Sequence, residues 1–337
     1  MIKTIRPVMI RCENDSTRKL AIKKVILQLT LCTLFILIVP SAFTQPVTNG
    51  KVAREGFDLH YSVIGNNGPY LLLLSGGPGS SVEFLRPVAD SLSKFGRCIL
   101  LEQRGTGRSV LQKIDSITIN MNAYVQDIEA LRKHLGVKQF IIIGESWGSL
   151  LSFLYAGSYD KNVKGIISLT TGLITSEYAD VFDDNFRMRL LPHEKETRDL
   201  WREKLRNPAV LKDSSAFIKA HYMRDAAGMP AYYYNRQLGL KAAMELKPTE
   251  FNYYVGPAFF KAHPNFDIRP LLKNITAPVL LMQGRQDLAG EANVYEAHVL
   301  MKNSVLKFFN RCGHFPLEEK PSEAWPILIE FLKTKLL

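Results

Sequence analysis

The stretch Gln139-Phe140-Ile141-Ile142-Ile143-Gly144-Glu145-Ser146-Trp147-Gly148-Ser149-Leu150-Leu151 decides how this chain folds. Its first residues form a short apolar, β-branched run, the pattern of a buried strand. From Ser146 to Ala156 the pattern reads as the start of a helix. Between them lies Gly144-Glu145-Ser146-Trp147-Gly148, a G-x-S-x-G. The pentapeptide alone recurs by chance. Caught between strand and helix it is a nucleophile elbow, a tight turn that holds a serine with its Oγ exposed. The two flanking glycines permit the close backbone approach that such a turn demands.

Working outward, strand-like and helix-like segments alternate from about Lys51. Gly56–Val63 reads as a strand of an early hairpin. Tyr70–Leu74 and Arg97–Leu101 are apolar runs of the kind buried on both faces of a sheet. Asn122–Leu135 has helical spacing and stops at Gly136. Val163–Leu169, Pro278–Met282 and Val305–Phe309 continue the strand series, and Ala324–Leu336 closes the chain as an amphipathic helix. Repeated βαβα alternation predicts a mostly parallel central sheet with helices on both faces. Residues 176–263 lack strands of this kind. Helix-like segments such as Glu194–Leu205 and Tyr232–Leu246 mark them as an inserted helical cap, leaving residues 45–175 and 264–337 as the catalytic core.

A serine nucleophile needs a base, and the base needs an orienting acid. Asp287 follows the Pro278–Met282 strand and His314 follows the Val305–Phe309 strand, in the order Ser, Asp, His. Each stands on a loop at the carboxyl end of its own strand, the edge where open α/β sheets bind ligands. The spacing therefore predicts a triad in which His314 takes the proton of Ser146 and Asp287 fixes the histidine tautomer. Each residue alone also fits a plain role, Asp287 as a helix cap and His314 as a satisfied loop histidine. A tetrahedral oxyanion needs donors. The backbone N–H of Trp147 is one candidate; the loop Ser75-Gly76-Gly77-Pro78-Gly79 offers Gly77, with Gly76 as its neighbour.

Four motifs carry a family resemblance. Ser75–Gly79 resembles the HGGPG of the prolyl aminopeptidase (proline iminopeptidase) family of α/β-hydrolases. Glu102-Gln103-Arg104-Gly105-Thr106-Gly107-Arg108-Ser109 is similar to its DQRGxGxS segment, Gly144–Ser149 to its GxSWGS elbow, and Gly313-His314 to its terminal GH. The motifs fall in the family's order and cover about 50–175 and 265–337. Ser75 stands where the family has His, and Glu102 where it has Asp. The resemblance implies an α/β-hydrolase fold and cleavage of N-terminal proline or other residues from short peptides, with no metal or cofactor. It also implies acidic cap residues that hold the substrate's free α-amine. No motif identifies them. Asp180, Asp183, Asp184 and Glu250 are available beside Glu177 and Glu245, which are taken here as the candidates. Tyr233 and Tyr234, within the aromatic set of Tyr232, Tyr253, Tyr254, Phe259 and Phe260, are candidates for the pocket wall. Solvated carboxylates and aromatic packing within the cap account for the same residues. Arg104 and Arg108 are expected to pair with carboxylates and brace their loop.

The 337 residues carry a net charge of +11. Lys19, Lys23 and Lys24 precede an apolar stretch from Val25 to Val39, then Pro40 and the small residues Ser41 and Ala42, the order of a secretory signal cleaved after Thr44. A membrane anchor over residues 25–43 is the rival expectation, although Gln28 interrupts the run. Without residues 1–44 there remain 36 Lys/Arg against 30 Asp/Glu, a net charge of +6 with no basic stripe, so nucleic-acid binding finds no support. Export is expected, with membrane contact only through an uncleaved leader. Cys98 and Cys312 are expected as free thiols. Ser146 at the elbow disfavours haloalkane dehalogenase and epoxide hydrolase chemistry, which needs a carboxylate nucleophile. Thr197 breaks a zinc motif at His193-Glu194. The substrate is expected to be a small peptide; a carboxylesterase acting on small esters and a non-catalytic binding module are the alternatives.

Overall fold

Because successive residues of a strand face opposite sides, a parallel sheet with apolar residues at every position must be covered on both faces. The computed structural model describes residues 47–337, and its centre follows that rule. The leader or anchor expected over 1–44 lies outside the described residues. Eight strands form one sheet: β1 (Val47–Arg54), β2 (Phe57–Ile64), β3 (Tyr70–Leu74), β4 (Arg97–Leu101), β5 (Phe140–Ser146), β6 (Val163–Thr171), β7 (Val279–Gly284) and β8 (Ser304–Phe309). Their order across the sheet is β1-β2-β4-β3-β5-β6-β7-β8. The pairs β1–β2 and β2–β4 are antiparallel, and every pair from β4 to β8 is parallel.

Side-chain alternation sorts the core into two layers. Leu72, Leu74, Ile142 and Leu281 face the helices Met121–His134, Trp147–Ser158 and Gly290–Leu300. Leu71, Leu73, Ile143 and Met282 face Arg86–Leu92 and Pro321–Phe331 on the other side. Between β6 and β7 the chain forms a run of helices, among them Ala179–Arg189, Pro192–Lys204, Ser214–Gly228, Arg236–Glu245 and Val255–Ala262. The span read as one helix over Tyr232–Leu246 is two pieces, a 3-10 turn Met229–Tyr232 and the helix Arg236–Glu245. Asn235 separates them and caps the second by accepting from the Gln237 N–H at 3.1 Å. The closing helix ends at Phe331 and widens into a π-turn over Leu332–Leu336. Among the described residues no helix is long and apolar enough to cross a membrane. Cys98 and Cys312 are both buried and free.

The loop after β4 is braced from below. Arg104 holds Asp127 with two bonds, Nε at 2.7 Å and Nη2 at 2.8 Å, and Arg54 adds a third at 2.8 Å. Both members of the Arg104–Asp127 pair are buried. Removing one partner of a buried pair strands the other charge. Asp127→Ala is therefore expected to lower the unfolding free energy by about 3–5 kcal/mol in a denaturant titration; a loss under about 1 kcal/mol, as for an exposed pair, contradicts it.

Candidate active site

β5 ends in the turn that holds Ser146. Its backbone sits at φ 53, ψ −114, one of two non-glycine residues with positive φ among those described. Such a conformation is costly for an L-residue and persists only where its surroundings impose it. Here they do. A Cβ on Gly148 would lie 1.9 Å from the Leu74 carbonyl oxygen, and one on Gly144 2.5 Å from Gly148. Only glycine lets the first turn of the helix Trp147–Ser158 approach the neighbouring strands so closely. The register between β5 and β6 shifts at Gly144/Glu145, an irregularity in the ladder beside Ser146. Beneath it the Ser149 hydroxyl donates toward the carbonyls of Gly144 (2.9 Å) and Thr170 (2.7 Å).

Asp287 and His314 come from the loops after β7 and β8. These loops are zipped together: Gln286 N–H donates to Cys312 O at 2.9 Å, and Gln286 Oε1 accepts from Cys312 N–H at 3.0 Å. His314 Nδ1 and Asp287 Oδ2 are 2.6 Å apart. Asp287 also accepts from Thr170 Oγ1 at 3.0 Å and from the Ala289 N–H at 2.7 Å. Burial by itself would raise the Asp287 carboxyl; the His314 charge and these hydrogen bonds outweigh it and hold the group below its ordinary value. Burial likewise opposes the charged form of His314, yet Asp287 and then Glu145 hold its pKa above the ordinary 6.5. Ser146 and His314 are not hydrogen-bonded to each other in this structure. Nucleophile–base bonds are often long without substrate and tighten when it binds.

The candidate oxyanion loop lies against the elbow. A Cβ on Gly76 would be 3.5 Å from Ser146 Cβ. Gln103 ties the two halves together: its Nε2 donates to Ser75 O at 3.0 Å, and its Oε1 accepts from Trp147 Nε1 at 2.8 Å. The N–H of Trp147 belongs to a first helical turn, where no intrahelical acceptor exists. Gly77, at φ 117, turns the loop so tightly that a Cβ there would sit 2.6 Å from the Gly79 nitrogen.

The cap candidates fare differently. Glu177 is exposed and committed to Arg269 at 2.7 Å. Glu245 is exposed on its helix with Lys241 at 3.8 Å. Neither bonds to a residue of the Ser146–Asp287–His314 set. Tyr234 is largely exposed, whereas Tyr233 is buried and donates its hydroxyl to Glu318 at 2.9 Å. What the cap does bring to the site is backbone: the His314 N–H donates to Tyr232 O at 2.8 Å, and the Asn235 N–H to Glu319 at 2.8 Å. The Tyr232 ring stands edge-on to His314, with centroids 5.4 Å apart.

One site residue was in plain view and not singled out. Glu145, at the free position of the elbow, is half-buried, and its Oε1 would lie 3.3 Å from a Cβ on Gly76. Burial pushes its carboxyl up to about 7, with the His314 charge opposing and Glu318 adding to the rise. The motif admits any residue at that position, so only a carboxylate one residue before Ser146 could have drawn notice.

A sequence profile described as the α/β hydrolase fold matches residues 69–321. The chain is 27% identical to a proline iminopeptidase of Lactobacillus helveticus over 297 residues, 85% of this chain and 98% of that protein. It is 27% identical to the proline iminopeptidase of Saccharolobus solfataricus over 311 residues, 88% of this chain and 96% of that one. The solved structure of a proline iminopeptidase-related protein from Thermus thermophilus superposes with TM-score 0.66 at 21% identity, over 86% of this chain and 99% of that one.

A base is useful only unprotonated, and His314 is held above 6.5, so hydrolysis is expected to fall with acidification at a midpoint above that value. Glu145→Gln removes a charge that favours the imidazolium and should move the midpoint down. A pH–rate profile of kcat/KM measures both, and a midpoint that rises in Glu145→Gln contradicts the assignment.

Proposed function

The chain belongs to the α/β-hydrolase fold family, and from that premise we propose that it is a serine hydrolase releasing N-terminal proline or other residues from short peptides. The observation that carries this reading is the 2.6 Å His314–Asp287 bond on the sheet edge where Ser146 is held in its strained turn. In the proposed reaction His314 Nε2 takes the Ser146 proton as Oγ attacks the carbonyl carbon of the first residue. Asp287 keeps Nδ1 protonated and stabilises the imidazolium. The N–H groups of Trp147 and Gly77, with Gly76 adjacent, receive the oxyanion. As the tetrahedral intermediate collapses, the C–N bond breaks and His314 delivers its proton to the leaving amine. Water, deprotonated by His314, then releases the acyl group and restores Ser146.

The aminopeptidase assignment draws on the proline iminopeptidase relatives; the site itself speaks for acyl transfer. One observation favours the second reading, a carboxylesterase: Glu177 and Glu245, the cap carboxylates expected to hold an α-amine, are engaged with Arg269 and Lys241. Export belongs to the proposal too, on the basic, apolar, then small-residue order of residues 19–45. The N-terminal residue of protein recovered from the cell envelope tests it: Gln45 supports cleavage, and an intact leader favours an anchor.

Proline and alanine p-nitroanilides with free amines, their N-acetyl twins and p-nitrophenyl acetate separate the readings. Free-amine amides cleaved in preference to acetylated ones support the aminopeptidase; turnover of the ester alone favours the esterase. Asp287→Asn is expected to lower kcat about 10⁴-fold through the wrong histidine tautomer. Ser146→Ala should abolish labelling by a fluorophosphonate, and a wild-type protein that does not label is a binding module.

A further inference from the structure

The helices Pro192–Lys204, Ser214–Gly228 and Val255–Ala262 meet the loop around Asp115 at a cavity of about 540 Å³ that no residue of the Ser146–Asp287–His314 set lines. Volumes of this order hold small organic ligands. The walls are largely apolar and aromatic: the Phe217 ring lies face to face with Tyr254, centroids 4.5 Å apart and 17° from parallel, and also touches His221 at 4.4 Å. Around this floor stand Arg202, Arg206, Arg224 and Lys261.

Four cations and one carboxylate stand at the lining, and Lys261 is the cation among them without an ion pair among the described residues. That carboxylate is Asp115, and Lys113 neutralises it at 2.8 Å while its other bonds go to the N–H groups of Ile117 and Thr118. Three of the cations have acidic neighbours, Asp199 at 3.9 Å, Glu203 at 2.8 Å and Asp225 at 2.7 Å, none of which lines the cavity. His221 is more than nine-tenths buried in the wall, and its Nδ1 has no hydrogen-bond partner. Burial, and next the Arg224 charge, lower its pKa to about 4, so at neutral pH it offers a neutral imidazole. The Nδ1 atom is itself shut off from solvent, so His221 meets the cavity through its ring, packed between Phe217 and Tyr253.

We propose that this cavity binds an amphiphilic organic carboxylate, its apolar body on the Phe217–Tyr254 floor beside the His221 ring and its anionic head among Lys261, Arg224 and Arg206. A neutral alcohol of the same length lacks the head group, and inorganic phosphate lacks the body. The site is independent of acyl transfer at Ser146, and its test does not rest on that reaction.

The test is titration calorimetry of the full-length Ser146→Ala protein, which cannot form an acyl-enzyme, with decanoate, decanol and inorganic phosphate. Decanoate is expected to bind at least tenfold tighter than decanol or phosphate, a difference of about 1.4 kcal/mol. The double variant Arg206→Gln/Lys261→Gln changes two exposed side chains and should weaken decanoate at least tenfold. Tyr254→Ala removes one ring of the floor and should weaken it too, while the melting temperature shows a folded protein. Phosphate binding as tightly as decanoate, decanoate insensitive to both variants, or no binding at millimolar decanoate each overturns the proposal. So does loss of decanoate binding when a fluorophosphonate occupies Ser146 of the wild-type protein, which would place the ligand at the triad.

Discussion

Everything at the site hangs on the backbone of Ser146, held at φ 53 between a strand and a helix that nearly collide. An L-residue does not stay there unaided. The hold comes from close contact: Gly144 and Gly148 leave room for no side chain, and the Ser149 hydroxyl binds carbonyls of β5 and β6 underneath. With the turn fixed, Ser146 stands clear at the sheet edge, and the N–H of Trp147 is left free by the start of its own helix. Candidate nucleophile and oxyanion donor thus follow from one strained residue.

Electrostatics then divides labour among buried groups. Asp287 is ionised against the cost of burial because three donors and the His314 charge converge on it. Glu145 has no comparable set of donors, and its carboxyl is pushed up toward neutrality. The two acids beside one histidine therefore shift in opposite directions, Asp287 through the His314 charge and its donors, Glu145 through burial and the Glu318 charge. Gln103 performs a quieter task, hydrogen-bonding Ser75 and Trp147 at once and so tying both sides of the candidate oxyanion hole to one side chain.

Much of the core was legible along the chain. Tyr70–Leu74 and Arg97–Leu101 coincide with β3 and β4, whose last four residues are apolar and buried in each case. Asp287 and His314 were findable since each directly follows its strand. The cap resisted: its helices carry amphipathic patterns that say they pack, not against what. Arg269 lies 92 residues from Glu177 and could not be seen as its neighbour, whereas Lys241 stands one helical turn before Glu245. Tyr233 gave no hint that its hydroxyl would go to Glu318, 85 residues away.

The sequence by itself determined the alternating architecture, the elbow, and the candidate nucleophile with its acid and base in order, because these depend on local pattern and on which residue ends each strand. Tertiary structure decided the rest. Residues as distant as Asp115, His221 and Lys261 line one cavity, and Tyr232 closes over His314, through long-range packing between the helices after β6 and the loops of the core. Local periodicity fixes which face of a helix is buried; the partner it meets depends on the shapes and charges of every other surface, and only the folded chain brings those together.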